Sequence, residues 1–270
     1  MRVKKTILSI FFAVISVLGI YSLFIEPNNI EVHHIRLNDT ILGKTLKGVT
    51  AVHISDLHIS KIGKKEKKVL DIIKDINPDV IFLTGDYIKW DGDYEPALNF
   101  LSELHARVDV WAVMGDYDYS NSRKSCLFCH EQGTGKVTSR HPARFLRNSS
   151  DLVSTDNGDM KVCGIDMEEE EDKDRKIDEK GPAIILCHSP LGFDRLDNNS
   201  DILMLSGDTH GGQAPFPGWF WNLLGYEKNS KYNGGLYREG NKMMYVSRGI
   251  GTSHIPIRIF RRPEVVVLHF

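Results

Sequence analysis

The sequence lacks a strong excess of charge of either sign. Its 34 lysine and arginine residues stand against 36 aspartate and glutamate residues, so the formal net charge is -2. A chain with this balance has no overall basic field that would attract nucleic acid, and we expect no nucleic-acid partner. It has no strongly acidic field either, so net charge identifies no partner.

Internal repeats and linker-like segments are also absent from the sequence, and cysteine is scarce, with four residues. With 41% hydrophobic residues, the composition is typical of a folded chain rather than a disordered one. We therefore expect one domain over residues 30–270.

A long apolar run is present near the N-terminus. From Ile7 to Ile25 the chain has 19 residues without a charge, close to the roughly 20 that a helix needs to cross a bilayer. Bulky residues rather than a small-residue cleavage site follow, so we expect an uncleaved anchor over residues 1–29; a buried core helix is the alternative. The preceding Arg2, Lys4 and Lys5 should stay in the cytoplasm, which predicts a single-pass protein of the cell (inner) membrane with its domain outside the cytoplasm.

Apolar runs with strand character alternate with helical segments over the rest of the chain. "VTAVHIS", "DVIFLT" and "VDVWAVM" are separated by the helical patterns "KKEKKVLDIIKDIN" and "PALNFLSELHA", and "AIILC" and "DILMLS" follow. Each run leads into Asp, Gly-Asp or His, and open α/β sheets bind ligands at the carboxyl ends of their strands. We expect one site at that edge, and a C-terminal tail of two or three strands that closes a second sheet.

The side chains at these strand ends are carboxylates and imidazoles. They are, in chain order, Asp56, His58, Asp86, Asp116, Asp118, His188, Asp208 and His210. Oxygen and nitrogen ligands without sulfur suit divalent ions such as Mn, Fe, Zn or Mg. Two such ions can share one carboxylate and neutralise the oxygens of a phosphoryl displacement, so the sequence predicts a metal centre for phosphoryl chemistry.

In this order, "SDLH", "TGDY", "MGDYDY", "CHSP" and "GDTHGG" resemble the motifs of the calcineurin-like metallophosphoesterases. The C-terminal segment resembles the bacterial membrane-associated, YkuE-like branch of that family. The resemblance implies a four-layer α/β/β/α sandwich of two mixed sheets. It also implies a hydrolase of phosphodiester or pyrophosphate bonds, acting on lipid-linked substrates in some relatives, with a binuclear metal centre.

Carried over by position, the resemblance implies two metal sites that share one carboxylate. The first metal would be held by Asp56, His58, Asp86 and His210. The second would be held by Asp86 as the bridge, Asp116, His188 and Asp208. Asp116 replaces an asparagine of the family and Asp208 replaces a histidine. The added negative charge favours harder ions, and we expect Mn before Fe, Zn or Mg.

Tyr117 is a third departure, because the family has a histidine there that is thought to protonate the leaving group or hold the phosphate. A phenol with an unperturbed pKa of about 10 is a poor proton shuttle at neutral pH. We expect Tyr117 and Asp118 to be catalytic, on a substrate with a good leaving group such as a pyrophosphate. The alternative is a metal-binding relic without turnover.

The pentapeptide "CLFCH" does not belong to the family pattern. This spacing is the attachment sequence of c-type haem, which would use Cys126, Cys129 and His130. A disulfide, a zinc site and a chance spacing are the alternatives. A haem-bearing or metal-binding sensor or redox module, with a degenerate phosphoesterase site, is therefore the rival function.

Two further segments carry expectations. The aromatic stretch at residues 214–232 follows neither a strand nor a helix period, and it is either a core cluster or a flap that contacts the bilayer or acyl chains beside the site. The charged run at residues 166–180 is expected to be a solvated loop.

Overall fold

Two mixed β-sheets of six strands each pack face to face in the described part of the chain. The computed structural model describes residues 2–89, 94–106, 108–119, 143–155, 158–166, 181–199, 201–253 and 255–270. The strands are β1 (Glu31–Arg36), β2 (Thr50–Ile54), β3 (Val80–Thr84), β4 (Val110–Val113), β5 (Arg144–Phe145), β6 (Ser149–Thr155), β7 (Gly158–Ile165), β8 (Ala183–Cys187), β9 (Ile202–Ser206), β10 (Gly235–Glu239), β11 (Lys242–Val246) and β12 (Glu264–His269). The helices are α1 (Arg2–Ile20), α2 (Ile41–Thr45), α3 (Lys64–Ile76), α4 (Glu95–His105), α5 (Gly218–Leu223) and α6 (Glu227–Lys231).

The order of the strands brings the predicted strand ends together. The first sheet has the order β1-β12-β2-β3-β4-β5, and the second has the order β10-β11-β9-β8-β7-β6. Strands β2, β3, β4 and β5 run parallel to one another, and so do β7, β8, β9 and β11. Parallel strands end at the same edge of their sheet, so the polar residues after β2, β3, β4, β8 and β9 collect there.

The central strands are buried on both faces, which explains their unbroken apolar runs. In β3, Phe82 packs in the core between the sheets with Leu186 and Leu205 of the second sheet. Its neighbours Ile81 and Leu83 pack instead in the core beneath α3 and α4. Strand alternation thus divides the interior into an inner core and outer cores.

The layers confirm the expected α/β/β/α arrangement. Helices α3 and α4 cover the outer face of the first sheet through positions such as Ile73 and Leu101. The outer face of the second sheet is covered by the 3-10 helix Pro190–Arg195, whose Phe193 is fully buried, and by Tyr232. In the described residues this fourth layer is therefore thinner than a layer of long α-helices.

The C-terminal segment divides between the two sheets, which corrects the expectation that it closes the second sheet alone. Strands β10 and β11 do complete the second sheet. Strand β12 instead enters the first sheet between β1 and β2, parallel to β1 and antiparallel to β2. The apolar side chains of β12 from Val265 to Leu268 are all buried, as an interior strand requires.

Asp166 corrects the expectation that the charged run is solvated throughout. Its side chain is buried, accepts a hydrogen bond from Tyr119 Oη at 2.7 Å and forms an ion pair with Arg147. A buried carboxylate needs such partners because it has lost its hydration. Residues 167–180 lie outside the described residues.

The N-terminal run forms one apolar helix. Helix α1 continues through a π-helical turn at Tyr21–Ile25, and the segment Lys4–Asn28 is long and apolar enough to cross a membrane by length and composition. Its large apolar side chains are exposed, including Phe11 and Val17. This exposure argues against the alternative of a buried core helix.

Arg258 organises the loop that precedes β12. Its side chain is fully buried and its guanidinium donates hydrogen bonds to the carbonyl oxygens of Arg248, Gly249, Gly251 and Arg261 at 2.6 to 3.2 Å. A planar guanidinium can satisfy several carbonyls at once, which a shorter side chain cannot do. Arg258 therefore joins the backbone at Arg248, Gly249 and Gly251 to the backbone at Arg261.

Replacement of Arg258 by alanine should lower the free energy of unfolding by about 3 kcal/mol or more, because buried carbonyls lose charged donors. Tryptophan fluorescence of the detergent-solubilised chain in urea would measure this. Arg262→Ala is the matched control: Arg262 is partly exposed and pairs with Glu31, so its loss should cost less than about 1 kcal/mol. Equal urea concentrations at the midpoint of unfolding for the two variants would contradict this role of Arg258.

Candidate metal centre

Five loops converge at the carboxyl edge of the two sheets. The residues that they bring together are Asp56, His58, Asp86, Asp116, His188, Asp208 and His210, in groups whose ligand atoms lie within 4.8 Å of one another. Five of these seven are buried, whereas Asp116 is exposed and Asp208 is half-buried. The structure therefore places all of the sequence-predicted metal ligands in one cluster.

The backbone is strained at most of these positions. Asp56, His58, Asp86, Asp208 and His210 have φ angles of 50°, 45°, 57°, 73° and 52°. Left-handed backbone costs a residue with a side chain on the order of 1–3 kcal/mol and persists only where the surrounding structure imposes it. The concentration of such residues at this edge indicates that the positions of these side chains matter more than local stability.

The first group of ligand atoms surrounds a point between two imidazoles. His58 Nε2 lies 3.1 Å from His210 Nε2 and 3.5 Å from Asp86 Oδ2. His210 Nε2 lies 3.4 Å from Asp56 Oδ1. Burial lowers the pKa of His58 to about 3 and lowers that of His210 well below its usual value. Neutral imidazoles offer lone pairs, so this group fits a divalent cation.

The second group lies on the other side of Asp86. His188 Nδ1 donates to the carbonyl oxygen of Thr84 at 2.6 Å, which turns Nε2 toward Asp86 Oδ1 at 3.5 Å. The ligand atoms of His188, Asp116 and Asp208 form the third convergent set. One oxygen of Asp86 thus faces His58 and the other faces His188, so this carboxylate lies between the two groups.

The buried carboxylates of the cluster create a negative potential that favours the binding of a cation. Burial raises the pKa of Asp56 to about 6 and that of Asp86 well above its usual value. Burial alone would lower the pKa of His188, but the Asp86, Asp208, Asp56 and Asp116 carboxylates outweigh it and raise the pKa to about 10. Buried carboxylates that favour nearby protons also favour metal cations, and the donor set fits them.

Comparison with known families identifies the fold and the chemistry. The model of the calcineurin-like phosphoesterase family matches residues 49–212. The chain belongs to this family. It is a metallophosphoesterase, a hydrolase of phosphoester bonds. The family match confirms the resemblance that the sequence motifs indicated.

Named relatives of this metallophosphoesterase come from bacteria and vertebrates. The uncharacterized metallophosphoesterase YkuE of Bacillus subtilis is 25% identical over 210 residues, covering 74% of this chain and 71% of that protein. The phosphodiesterase YaeI of Escherichia coli is 28% identical over 204 residues, covering 71% and 70%. A transmembrane protein with metallophosphoesterase domain from Danio rerio is 27% identical over 216 residues, covering 74% of this chain and 48% of that protein.

Asp118 holds two loops of the metallophosphoesterase site in place. Its Oδ2 accepts hydrogen bonds from the backbone N–H groups of Asp86 and Gly115 at 2.9 and 2.8 Å, and its Oδ1 accepts one from Tyr87 at 2.9 Å. Burial nonetheless raises the pKa of Asp118 to about 6. Both oxygens are engaged by backbone donors, so Asp118 positions these loops, and its catalytic role stays a prediction.

Tyr117 lies beside the first ligand group. Its backbone N–H donates to Asp86 Oδ1 at 2.9 Å, and its ring contacts the His58 ring edge-on at 4.5 Å between centroids. Burial and the Asp86 carboxylate raise the pKa of Tyr117 to about 12. The phenol therefore stays protonated at neutral pH and can donate a hydrogen bond, but it is a poor proton acceptor.

Two glycines allow the loops to approach one another. A Cβ at Gly207 would lie 1.9 Å from Ser55 Oγ and 2.3 Å from Asp56 Oδ2, and a Cβ at Gly115 would lie 2.3 Å from Asp86 Oδ1. No side chain fits at such distances. These glycines are required by the packing of the ligand carboxylates themselves.

Sequence reasoning missed Lys228, which lies on α6. Its Nζ is 2.6 Å from Asp208 Oδ2 and 3.7 Å from Asp116 Oδ2. No motif or spacing marks this lysine, because α6 follows β9 through a long excursion and meets the site only in the folded chain. The haem residues predicted at Cys126, Cys129 and His130 lie outside the described residues, and the comparisons give no support to a haem.

Replacement of Asp86 by asparagine should weaken Mn²⁺ binding at least about 100-fold, because one anionic oxygen is lost to both ligand groups. Equilibrium dialysis of the chain with Mn²⁺ would measure the change. Asp159→Asn removes a carboxylate from the exposed surface of β7 and should leave binding unchanged. Similar losses for both variants would show that the effect is one of net charge alone.

Proposed function

We propose that the chain is a membrane-anchored phosphoesterase with a binuclear metal centre that cleaves phosphodiester or pyrophosphate bonds, including those of lipid-linked substrates. The placement of Asp86 carries the proposal, because its two oxygens face His58 and His188 on opposite sides, each 3.5 Å away. A carboxylate between two ligand groups is what a pair of metal ions would share.

The ligand roles that we propose follow the family resemblance. The first metal would be held by Asp56, His58, Asp86 and His210, and the second by Asp86, Asp116, His188 and Asp208. The ligand atoms of these residues converge in three groups: Asp56 with His58 and His210, Asp56 with Asp86 and His188, and Asp116 with His188 and Asp208. When bound, divalent cations such as Mn, the ion that we favour, would supply Lewis-acid polarisation of the phosphoryl oxygens and an activated water. Oxygen-rich ligand sets suit such hard ions.

Tyr117 and Asp118 complete the site in different ways. The protonated phenol of Tyr117 would donate a hydrogen bond to a phosphoryl oxygen beside His58, and Asp118 would position Asp86 through its backbone N–H. Neither residue offers a proton to the leaving group near neutral pH. We therefore propose a substrate with a weakly basic leaving group, which loses least when general acid help is missing.

The end of the anchor is tied directly to the metal loops. Arg258 N donates to the carbonyl oxygen of Ser22 at 3.0 Å, and Arg261 N donates to the Glu26 carboxylate. Arg261 Nε in turn donates to the carbonyl oxygen of Gly211 at 3.0 Å, next to His210. These contacts support a site held close to the membrane surface and hence a lipid-linked substrate.

The aromatic flap supports the same conclusion. We define the flap as residues 214–226; Trp219 and Leu223 are 69% and 75% exposed, which argues against a core cluster. Trp221 lies against Gly212, so close that a Cβ there would be 2.5 Å from the indole, and this contact puts the flap beside the metal loop. Exposed Trp and Leu side chains near a membrane anchor suit contact with lipid.

The orientation of the anchor favours an extracytoplasmic site. Arg2, Lys4 and Lys5 lie in the first turn of α1, before its apolar run, and basic residues at such a position tend to remain in the cytoplasm. We therefore propose a single-pass protein of the cell (inner) membrane whose phosphoesterase domain, residues 30–270, lies outside the cytoplasm.

Hydrolysis of bis-(p-nitrophenyl) phosphate by the Mn²⁺-loaded chain in detergent tests the proposed activity. The nitrophenolate leaving group needs little protonation, so we expect turnover without a histidine at position 117. The double variant Asp86→Ala/His210→Ala should reduce turnover by at least about 1,000-fold, and Asp159→Asn should retain it. A metal-loaded chain that hydrolyses neither this compound nor a pyrophosphate diester would defeat the proposal.

The double variant Trp219→Ser/Leu223→Ser tests the lipid-linked substrate. We expect turnover of a phosphodiester headgroup presented in phospholipid vesicles to fall several-fold, with turnover of bis-(p-nitrophenyl) phosphate preserved, because only the lipid contact is removed. Leu152→Ser is the control, since Leu152 is 62% exposed on β6, at the edge of the second sheet away from the site. Equal loss on both substrates would assign the flap a structural role instead.

A further inference from the structure

Lys228 occupies the open side of the second ligand group. Its Nζ lies 2.6 Å from Asp208 Oδ2 and 3.7 Å from Asp116 Oδ2, while His188 completes the same group from the buried side. The His188 Nε2 atom is buried and has no hydrogen-bond partner among the described residues. The Lys228 ammonium and the His188 imidazole therefore face the same pair of carboxylates, Asp116 and Asp208.

The position of Lys228 is built into the fold. Asn229 is the next residue on α6, and its Nδ2 donates to the carbonyl oxygen of Thr209 at 2.8 Å. At the end of the helix, Lys231 Nζ and Tyr232 Oη bind Asp194 at 2.7 and 2.6 Å. These contacts fix α6 against the loop of Asp208 on one side and against the second sheet's outer layer on the other. The side chain of Lys228 is thus directed at the site by its neighbours.

Two cations cannot share these carboxylates without a penalty. A divalent ion bound by Asp116, His188 and Asp208 would lie within a few Å of an ammonium that already pairs with two of them, and like charges at that distance repel strongly in a partly buried site. In the first group, Lys65 and Arg258 act on His58 and His210 through space, and within the described residues neither forms an ion pair with Asp56 or Asp86. The second group differs because an ammonium pairs directly with two of its carboxylates.

We infer that Lys228 serves as a resident cation of the second half of the centre and competes there with the second metal. The chain consequently binds one divalent ion tightly at Asp56, His58, Asp86 and His210, and binds the second more weakly. Loading of the second site requires Lys228 to release Asp208. This inference rests on the ligand assignment in the proposed function and adds a residue that sets the metal content of the site.

Mn²⁺ titration of the metal-free full chain in detergent, with free Mn²⁺ followed by electron paramagnetic resonance, tests the inference. The wild-type chain should bind one Mn²⁺ at least about tenfold more tightly than the second. Lys228→Met keeps the length of the side chain without its charge and should tighten the second site roughly tenfold or more, so that the spin-coupled Mn pair forms at lower Mn²⁺. Lys228→Gln provides a second neutral variant, and Lys228→Arg should retain wild-type behaviour.

Lys74→Met is the matched control, because Lys74 is exposed in the last turn of α3, which leads into the start of β3 at the edge of the sheet opposite the metal loops. It should leave both affinities unchanged, and an unchanged first site in every variant shows that the centre is intact. Equal affinities of the second site in the wild type and in both neutral variants would overturn the inference. Unchanged Mn²⁺ binding with weakened binding of inorganic phosphate would also overturn it and assign Lys228 to the substrate. These readouts are of binding, so failure of the hydrolysis test would defeat the proposed function without deciding this one.

Discussion

The close burial of the Asp56 and Asp86 carboxylates is the constraint on which the rest of the site depends. Both side chains are buried, and desolvation raises the pKa of each. The fold offsets part of this cost with backbone donors: Asp208 N–H reaches both oxygens of Asp56 at 3.0 and 3.1 Å, and Tyr117 N–H reaches Asp86 at 2.9 Å. Peptide dipoles alone do not neutralise two buried anions, and the remaining demand for positive charge makes the cluster a cation site.

The frame that imposes this arrangement is the pair of sheets. Parallel strands with both faces buried are rigid, so the short loops after β2, β3 and β9 have little freedom and adopt left-handed backbone at Asp56, Asp86 and Asp208. Asp118 joins the loops of neighbouring strands by accepting their N–H groups. The buried core therefore stabilises the strained backbone at this edge, and the Asp118 side chain helps to keep the ligand loops in position.

The same site is connected to the N-terminal helix through one loop. Arg258 binds the carbonyl oxygens of Arg248 and Arg261, its backbone N–H donates to the carbonyl oxygen of Ser22, and Arg261 Nε donates to the carbonyl oxygen of Gly211. These hydrogen bonds connect the end of the N-terminal helix to the loop that carries His210.

The sequence by itself determined the central strands, the apolar helix, the family and the set of candidate ligands. It could do so because apolar runs set strands locally and because parallel strands bring their ends, with Asp86 and His188, to one edge. Tertiary structure alone decided the entry of β12 into the first sheet, the structural engagement of Asp118 and the pairing of Lys228 with Asp208. Those features depend on contacts between segments that are far apart in the chain. A local pattern of residue types does not specify which distant backbone N–H or ammonium group will pair with a given carboxylate.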